Sequence, residues 1–522
     1  MIALTDTMKF TGSIPLVFLC ASSALAKGTL EFSLKSERHS QLLALAERDV
    51  NGTSESALLT NFAGQLGTRY FVNFTVGTPG QLQTALLDTG SSDTILLASD
   101  ASICAKKSSC PGGSYNSSAS STFSLLSAGA IEAQYGASVV SGTMTGDLVT
   151  DVIQVGDIAV TGAHFGVAHE AQGRFLGNGA FVGIMGLAYS ATEALREGQP
   201  LYPTFVESLV GAGAITSRLF SLYLNEVSSF GSILFGGIDT EKYEGNLTTL
   251  NFLQVSAEEK PISAFWMHLD EVSMTRDDGT KEQIVESDEI QQPVLPDSGS
   301  AYWDVPTDVY NKIVNATGAT ISQNNALLAC SKISNGTSFT FTFSGNGTNK
   351  VNLEVPLSSF FTPAVPADGS GLAKIGGEDA CLLMAQNAGS DAKFYLVGDP
   401  VIRAGYWVYD LDNGQVSIAQ ARLSATASNI VAVKAGRHGV MNVTNQASEL
   451  AANQTERVAG TATASVSYSL STASEAVGQT AGPQSTDLSN AAAGTVLGVP
   501  TDSIVSLAGA LLISVACGAF LL

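Results

Sequence analysis

The chain reads Leu86-Leu87-Asp88-Thr89-Gly90-Ser91 in its first half and Val294-Leu295-Pro296-Asp297-Ser298-Gly299-Ser300 in its second. Each segment is an apolar run, typical of a buried strand, that ends in an Asp followed by a hydroxyl residue and a Gly. A single Asp-Thr-Gly would be weak evidence, because Asp and Gly are common wherever a strand ends in a turn. The repetition predicts two similar lobes, each contributing one carboxylate.

A second pair of matching segments lies downstream of the two Asp residues. They are Val182-Gly183-Ile184-Met185-Gly186 and Tyr395-Leu396-Val397-Gly398. From about residue 70 to residue 423, short β-branched or aromatic runs are broken by Gly, Asn, Asp and Ser, and only residues 204–210 and 306–314 favour helix. We therefore predict an all-β domain over residues 66–423, with lobes at roughly 66–255 and 256–423.

Composition and charge narrow the class of protein. Of the 522 residues, 45% are hydrophobic and 14% charged, so most of the chain can fold around a core. A net charge of −22 disfavours a nucleic-acid partner, whose phosphates require a basic surface. The sequence contains no H-E-x-x-H, G-x-S-x-G or P-loop motif, and we expect neither a metal nor a cofactor.

The N-terminus has the features of a secretory signal. A short apolar run at residues 14–19 is followed by Ala24-Leu25-Ala26, which resembles a cleavage site. We expect residues 1–26 to be removed as a signal peptide. Residues 27–65 are mixed in charge and weakly helical, and we interpret them as a propeptide.

The C-terminal region predicts a stalk and an anchor. Residues 424–490 are rich in Ala, Ser and Thr and too poor in aromatic residues to form a core, as in an O-glycosylated stalk. Small residues around Asn490 precede an uncharged terminal run at residues 504–522, a pattern typical of a glycosylphosphatidylinositol signal. We predict attachment at Asn490, removal of residues 491–522, and a location on the extracellular face of the plasma membrane or in the cell wall. A transmembrane helix is the alternative.

Cysteines and sequons also indicate export. Outside the two terminal signals lie Cys104, Cys110, Cys330 and Cys381, whose spacing does not suit zinc, so two disulfides are expected. Pairing Cys104 with Cys110 and Cys330 with Cys381 is one of three possible connectivities. Nine sequons fit a glycosylated surface, at Asn51, Asn73, Asn116, Asn246, Asn315, Asn335, Asn346, Asn442 and Asn453.

The paired Asp motifs indicate general acid–base chemistry. Two carboxylates within hydrogen-bond distance cannot both ionise without strong repulsion, so they share one proton, and one acts as base while the other acts as acid. Together they can activate a water for attack on a peptide carbonyl. Gly90 and Gly299 allow backbone amides to approach the carboxylates, and Ser91 and Ser300 can donate to the outer oxygens.

With these motifs the chain resembles the pepsin family of aspartic proteases, and within it the fungal glycosylphosphatidylinositol-anchored, yapsin-like group. The resemblance covers residues 70–423 and includes, in family order, Gly77-Thr78-Pro79, the Asp88 motif, Gly183-Ile184-Met185-Gly186-Leu187, Leu234-Phe235-Gly236-Gly237-Ile238-Asp239, the Asp297 motif and Leu396-Val397-Gly398-Asp399. It implies a bilobal pepsin-like fold with the active-site cleft between the lobes, and an endopeptidase with an acid pH optimum.

The resemblance also implies a role for each site residue. Asp88 and Asp297 would be the catalytic pair, Thr89 and Ser298 would brace the two loops, and Tyr135-Gly136 would lie on the flap that closes over substrate.

The flap region departs from the family pattern. Ile95 stands where many members carry a Trp that hydrogen-bonds the flap tyrosine, and residues 137–141 lengthen the flap. The loop between Cys104 and Cys110 is short, whereas yeast yapsins carry a long insertion there. The preference of yapsins for basic residues in their substrates is therefore not expected of this chain.

We expect a monomer that acts on peptide or protein substrates. The alternatives are a pepsin-like protein that binds ligands without catalysis and a cell-wall glycoprotein on a Ser/Thr stalk. Non-catalytic relatives tend to lose an Asp or the Gly beside it, and here all are intact, which favours the enzyme.

Overall fold

A computed structural model describes residues 29–37 and 69–440, except residues 107–108, 136–141, 156–157, 174–180, 228, 255–261, 288, 323–324, 367–370 and 437–438. Several predictions lie outside these residues: the signal peptide, most of the propeptide, most of the stalk, the anchor signal, Gly136, Asn51, Asn442, Asn453 and Asn490.

The described part of the chain is mainly strands. Those before residue 255 are β1 (Leu30–Glu37), β2 (Arg69–Val76), β3 (Gln81–Asp88), β4 (Thr94–Leu97), β5 (Ser124–Tyr135), β6 (Gly142–Val155), β7 (Ile158–Gly173), β8 (Gly183–Gly186), β9 (Leu219–Tyr223), β10 (Phe230–Phe235), β11 (Gly237–Asp239) and β12 (Tyr243–Asn251).

The remaining described strands follow residue 262. They are β13 (His268–Thr275), β14 (Lys281–Val285), β15 (Val294–Pro296), β16 (Trp303–Val305), β17 (Thr320–Ser322), β18 (Asn325–Ala329), β19 (Ser338–Ser344), β20 (Lys350–Pro356), β21 (Phe361–Pro363), β22 (Lys374–Ile375), β23 (Glu378–Leu383), β24 (Ala385–Asn387), β25 (Tyr395–Val397), β26 (Gly405–Asp410), β27 (Gln415–Ala421) and β28 (Ile430–Ala432).

Within these ranges the helices are short. They are α1 (Phe205–Gly211), α2 (Thr307–Thr317) and α3 (Asp399–Ile402), with 3-10 turns at Ser102–Ala105, Ser117–Ala119, Ser190–Thr192, Cys330–Lys332 and Leu357–Phe360. A capping box between Thr204 and Glu207 begins α1, and Gly318, with φ of 72°, ends α2. The two predicted helical stretches are therefore confirmed.

Each lobe contains the same four-stranded unit, in the order β3-β8-β4-β7 in one and β15-β25-β16-β24 in the other. The first two strands of each unit also match in direction: β3 runs parallel to β8, and β15 runs parallel to β25. Asp88 ends β3, and Asp297 directly follows β15. The sequence duplication is therefore also a structural one, and it delivers one Asp from each copy to the junction of the lobes.

The core of the second lobe illustrates how the sequence pattern forms the sheet. Along β19 the Phe residues alternate with Thr, and Phe339, Phe341 and Phe343 are all 0% exposed. Trp303 packs on Phe341 with ring centroids 4.7 Å apart. Burying one such aromatic side chain contributes about 2–3 kcal/mol, so this face of β19 fixes the register of the sheet.

The propeptide region contributes a strand rather than a helix. Strand β1 lies between β10 and β2 and is antiparallel to both. The interpretation of the propeptide as weakly helical is therefore wrong for residues 30–37. Apolar Leu30, Phe32 and Leu34 alternate with other residues, and this period of two suits a strand once partners are present on both sides.

The folded body extends past residue 423, where the sequence placed its end. Strand β28 pairs with β11, and Val433 is 1% exposed. Ser428 Oγ donates to Asp239 Oδ2 at 2.7 Å, and the Asn429 amide donates to Asp239 Oδ1 at 2.8 Å. The boundary is therefore corrected to about residue 440, because polar contacts to the buried Asp239 and the burial of Val433 hold this segment against the body.

Truncation tests this correction. We expect a chain that ends after residue 423 to lose about 3 kcal/mol of unfolding free energy, because the buried Asp239 carboxylate loses the Ser428 and Asn429 donors and keeps only the Glu241 amide. Urea unfolding would measure the loss, with a chain ending after residue 440 as the control. Equal stability of the two would show that residues 424–440 contribute nothing.

No helix among the described residues is long and apolar enough to cross a membrane.

Candidate active site

Asp88 and Asp297 meet where the two lobes join. Their side chains are buried and lie close together, because a Cβ on Gly299 would contact oxygens of both carboxyl groups. A Cβ on Gly90 would lie 2.7 Å from Asp297 Cγ, and a Cβ on Gly299 would lie 2.6 Å from Asp88 Oδ1. Each glycine thus packs against the carboxylate of the opposite lobe, and any larger residue would separate the pair.

Two hydroxyl residues connect the loops reciprocally. Thr89 Oγ1 accepts from the Ser298 amide at 2.9 Å and donates to the Pro296 carbonyl at 2.8 Å. Ser298 Oγ accepts from the Thr89 amide at 3.1 Å and donates to the Leu87 carbonyl at 2.8 Å. This hydroxyl interlock holds the ends of β3 and β15 at a fixed separation, in the places predicted for Thr89 and Ser298.

The two carboxyl groups have different donors. Asp88 accepts from the Gly90 amide at 2.9 Å and from Ser91 Oγ at 2.5 Å. Asp297 accepts from the Gly299 amide at 2.7 Å. The expectation that Ser300 donates to Asp297 is wrong, because its hydroxyl donates instead to the Tyr302 carbonyl at 3.2 Å.

This asymmetry indicates where the shared proton resides. Burial raises the pKa of Asp297 well above its ordinary value, and the charge of Asp88 and the hydrogen bond with it raise that pKa further. The Gly299 amide and the positive charge of Arg69 oppose the rise. Asp297 therefore holds most of the proton that the pair shares, because its carboxyl has the raised pKa and accepts from only one of the three donors named above.

Ser91 and Ser300 give a matched test of the difference in hydrogen-bond donors between Asp88 and Asp297. We expect Ser91→Ala to lower kcat/KM by about tenfold, because an ionised Asp88 loses a charge-assisted hydrogen bond. Ser300→Ala should change kcat/KM by less than about twofold, since its hydroxyl bonds only to the backbone carbonyl and amide of Tyr302. Steady-state kinetics on a fluorogenic peptide would measure both, and equal losses would mean that the two carboxyls are supported alike.

The flap residue Tyr135 ends β5 and is 9% exposed. Burial raises the pKa of its phenol well above the ordinary value, and the charges of Asp93 and Asp88 raise it further. The Ser91 hydroxyl lowers the same pKa. Tyr135 therefore lies close to the dyad. Ile95 is 0% exposed and carries no polar atom.

The charged residues Arg69 and Asp399 were not singled out from the sequence. Arg69 acts electrostatically on both Asp297 and Asp399, and its Nη1 is buried without a hydrogen-bond partner among the described residues. Burial raises the pKa of Asp399 well above its ordinary value, against the positive charges of Arg403 and Arg69. The only sequence signal was the position of Asp399 after Leu396-Val397-Gly398.

The cysteines form Cys104–Cys110 and Cys330–Cys381, with S–S lengths of 2.03 Å and 2.05 Å. Among the described residues, no group of three or more His, Cys, Asp or Glu is placed to hold a metal. The sequon asparagines that the structure describes are all exposed: Asn73, Asn116, Asn246, Asn315, Asn335 and Asn346.

Residues 69–421 match the family model for the eukaryotic aspartyl protease. The chain is 34% identical over 403 residues to a probable aspartic-type endopeptidase OPSB of Arthroderma benhamiae, covering 75% of this chain and 76% of that protein. It is 29% identical to aspartic proteinase yapsin-3 of Saccharomyces cerevisiae, over 70% of this chain and 68% of that one. The solved aspartic proteinase from Irpex lacteus shares the fold, with a TM-score of 0.53 and 21% identity over 77% of this chain and 99% of that one.

Proposed function

Because the chain belongs to the pepsin family of aspartic proteases and is an aspartic-type endopeptidase of the yapsin-like group, we propose that Asp88 and Asp297 are its catalytic pair. One observation carries the proposal: each lobe contributes one carboxyl to a buried junction, where Gly90 and Gly299 each pack against the carboxyl group of the opposite lobe. A carboxylate beside a carboxylic acid supplies both the base and the acid for peptide hydrolysis.

The proposed reaction begins with a water between the two carboxyls. Asp88 removes a proton from this water as its oxygen attacks the peptide carbonyl carbon, and Asp297 gives its proton to the carbonyl oxygen. The resulting diol collapses when the amide nitrogen takes the proton held by Asp88 and the C–N bond breaks. A diol proton returns to Asp297, so the pair again holds one proton. The backbone donors from Gly90 and Gly299 keep both carboxyls oriented throughout.

The flap is proposed to hold the substrate against this pair. Tyr135 lies beside Ser91, which in turn donates to Asp88, so a peptide under the flap would be bounded by the flap on one side and the dyad on the other. The residues that support the catalytic loops are Thr89, Gly90, Ser91, Ser298 and Gly299, whereas Ser300 supports only its own turn.

We propose an acid pH optimum. Activity requires one proton on the pair, so losing that proton removes the acid, while adding a second removes the base. The net charge of −22 is compatible with acidic surroundings, because protonating surface carboxylates relieves their mutual repulsion.

We also propose that the enzyme is secreted, glycosylated and held at the cell surface by a glycosylphosphatidylinositol anchor, acting there as a monomer. Two disulfides and the exposed sequon asparagines support export. The small residues around Asn490 and the apolar terminal run support the anchor.

Residues 27–65 are proposed to act as an inhibitory propeptide. The pairing of β1 with β2 and β10 supports this, since it places the leader beside β2, the strand that pairs with β3 and hence with the strand ending in Asp88. A leader cation such as Lys35, Arg38 or Arg48 placed against the dyad would hold both carboxylates ionised and block the water site. Protein with residues 27–65 intact should be less active than the trimmed form, and equal activity would refute the idea.

The whole proposal can be tested on intact cells that express the full chain. Treatment with phosphatidylinositol-specific phospholipase C should release an activity that cleaves denatured casein, with a bell-shaped pH profile centred at acid pH. Cells that express Asp88→Asn should release the protein without the activity. Activity that rises steadily to neutrality would contradict the dyad, and retained protein whose mass includes Leu522 would contradict the anchor.

A further inference from the structure

Strand β6 is flanked by a β-bulge on each side, and both bulges lie next to Asp147. On one side the register of β5 shifts between Ser127 and Ile131, where β5 has two more residues than β6. On the other side the register of β7 shifts by one, and His169 is the extra residue. Because a bulge bends its strand and re-aims the side chains beyond it, two bulges at one position set the direction of the β5–β6 hairpin from there onward.

The carboxylate of Asp147 bonds to both bulges. Its Oδ1 accepts from the Gly129 amide at 2.7 Å, and its Oδ2 lies at hydrogen-bond distance, 3.0 Å, from His169 Nε2. Gly129 has φ of 64°, which glycine adopts without steric cost. The second imidazole nitrogen, His169 Nδ1, lies 3.3 Å from Asp100 Oδ1. These four residues, Asp100, Gly129, Asp147 and His169, form what we name the hairpin latch.

The two halves of β5 on either side of the latch have different surroundings. Before the latch, Leu125 is 49% exposed, whereas beyond it Ile131 is 0% and Tyr135 is 9% exposed. Tyr135 belongs to the same buried apolar cluster as Leu86 of β3, the strand that ends in Asp88. The bulges therefore turn the far half of the hairpin toward the core, and Tyr135 at its end packs with the strand that carries the first carboxyl of the dyad.

Resting on the proposed function, in which Tyr135 bounds the substrate opposite the dyad, we propose that Asp147 and His169 are positioning residues that set how tightly the hairpin holds a bound peptide. A protonated imidazole has two N–H donors, so it can donate to Asp147 and Asp100 together. A neutral imidazole has one N–H and can donate to only one of them. The latch is complete only when His169 is charged, and it therefore holds the peptide best at acid pH.

Other charged groups lie on or beside the elements that pack against β7. They are Asp93, Lys106, Glu132, Asp151, Glu170 and Glu207. Arg196 pairs with Glu132 at 3.0 Å, and Arg218 pairs with Glu207 at 3.0 Å. Because the remaining charges are the same in the parent and in a variant of the latch, the comparison of the two at each pH isolates the contribution of the imidazole.

Peptide binding to the full-length enzyme carrying Asp88→Asn, which prevents turnover, tests the proposal. The probe is a labelled casein peptide that the parent enzyme cleaves, titrated by fluorescence anisotropy at about pH 5 and about pH 7. Adding His169→Gln leaves an amide donor that cannot become charged, so at about pH 5 binding should weaken about threefold. At about pH 7 the same change should alter binding by less than about 1.5-fold, since the imidazole is then neutral. An equal effect at both pH values would overturn the proposal.

Asp147→Asn gives a second arm. Its amide oxygen can still accept from Gly129, but the side chain carries no charge to attract the imidazolium, so binding at about pH 5 should again weaken about threefold. Combining Asp147→Asn with His169→Gln should cause no further loss, because the two side chains act as one pair. Losses that multiply in the combined variant would show that the two residues act independently, and would refute the latch.

His164→Gln is the matched control. His164 lies on the same strand, and its ring stacks on Tyr202 with centroids 5.9 Å apart. This variant should bind the peptide within about 1.5-fold of the parent at both pH values. A threefold loss in the control at about pH 5 would show that any change of a histidine in β7 weakens binding, and the proposal would fall.

Steady-state kinetics separates positioning from catalysis. In the enzyme with Asp88 intact, His169→Gln should raise KM about threefold at about pH 5 and leave kcat within about twofold, because the dyad is unchanged. A fall in kcat at constant KM would contradict the positioning role. If Asp88→Asn itself cleaved peptide, the proposed function would fail, whereas failure of the binding comparison with an inactive Asp88→Asn would refute only the latch.

Discussion

Asp88→Asn and Asp297→Asn should each lower kcat by at least about 10³-fold, because removing either carboxyl removes acid–base catalysis by the pair as a unit. An Asn at either position keeps the size of the side chain but cannot carry the shared proton. The measurement is steady-state cleavage of a fluorogenic peptide across the acid range. Combining the two changes should add little further loss, since the remaining carboxyl has no partner.

The control for this prediction is folding. Both Asn variants should retain the disulfides and the thermal midpoint of the parent to within a few degrees, because the hydroxyl interlock of Thr89 and Ser298 does not involve the carboxyls. Substantial activity in either variant, with folding intact, would remove the carboxyl pair from the mechanism.

The free energy of unfolding should fall as pH rises from about 4 to 7. Burial raises the pKa of Asp93 to about 6, of Asp304 to about 7 and of Asp410 to about 6, from 3.8. A carboxyl with a raised folded pKa contributes stability that is complete below the unfolded pKa and is lost as pH rises through the folded value. Each shift corresponds to about 3–4 kcal/mol, so urea unfolding at several pH values should show a large decline.

Two variants separate this effect from general charge repulsion. Asp304→Asn should flatten the decline, because a neutral side chain no longer titrates. Asp151→Asn should not, since the pKa of Asp151 is lowered: burial raises it, but hydrogen bonds from Ser120, Thr122 and Tyr115 outweigh the burial. Stability that stays constant up to pH 7 in the parent would show that these carboxyls ionise in the fold without cost.

The catalytic pair could be predicted from sequence because each Asp lies in a local motif, and the motif occurs twice. The parallel pairings of β3 with β8 and of β15 with β25 follow the same repetition. Ser300 could not be predicted in the same way. Its position matches that of Ser91, but the choice between the Asp297 carboxylate and the Tyr302 carbonyl depends on the shape of one turn, which the repeat does not specify.

Features that depend on contacts between segments far apart in the chain also could not be predicted from the sequence. Residues 30–37 form a strand because β2 and β10 flank them, and residues 424–433 are held because they meet the buried Asp239. Tyr202 reaches Asp93 across 109 positions of the chain. In each case, the deciding contact joins segments whose proximity only the folded topology establishes.

Because of the hydroxyl interlock, the active centre is complete only when the two lobes are associated. Thr89 bonds to backbone atoms around Ser298, and Ser298 bonds to backbone atoms around Thr89, so neither half has a complete set of partners alone. If the chain were cut between β12 and β13, the two fragments would form an enzyme only as a complex. Turnover would then depend on the product of the two fragment concentrations, and dilution alone would switch it off with every catalytic atom still present.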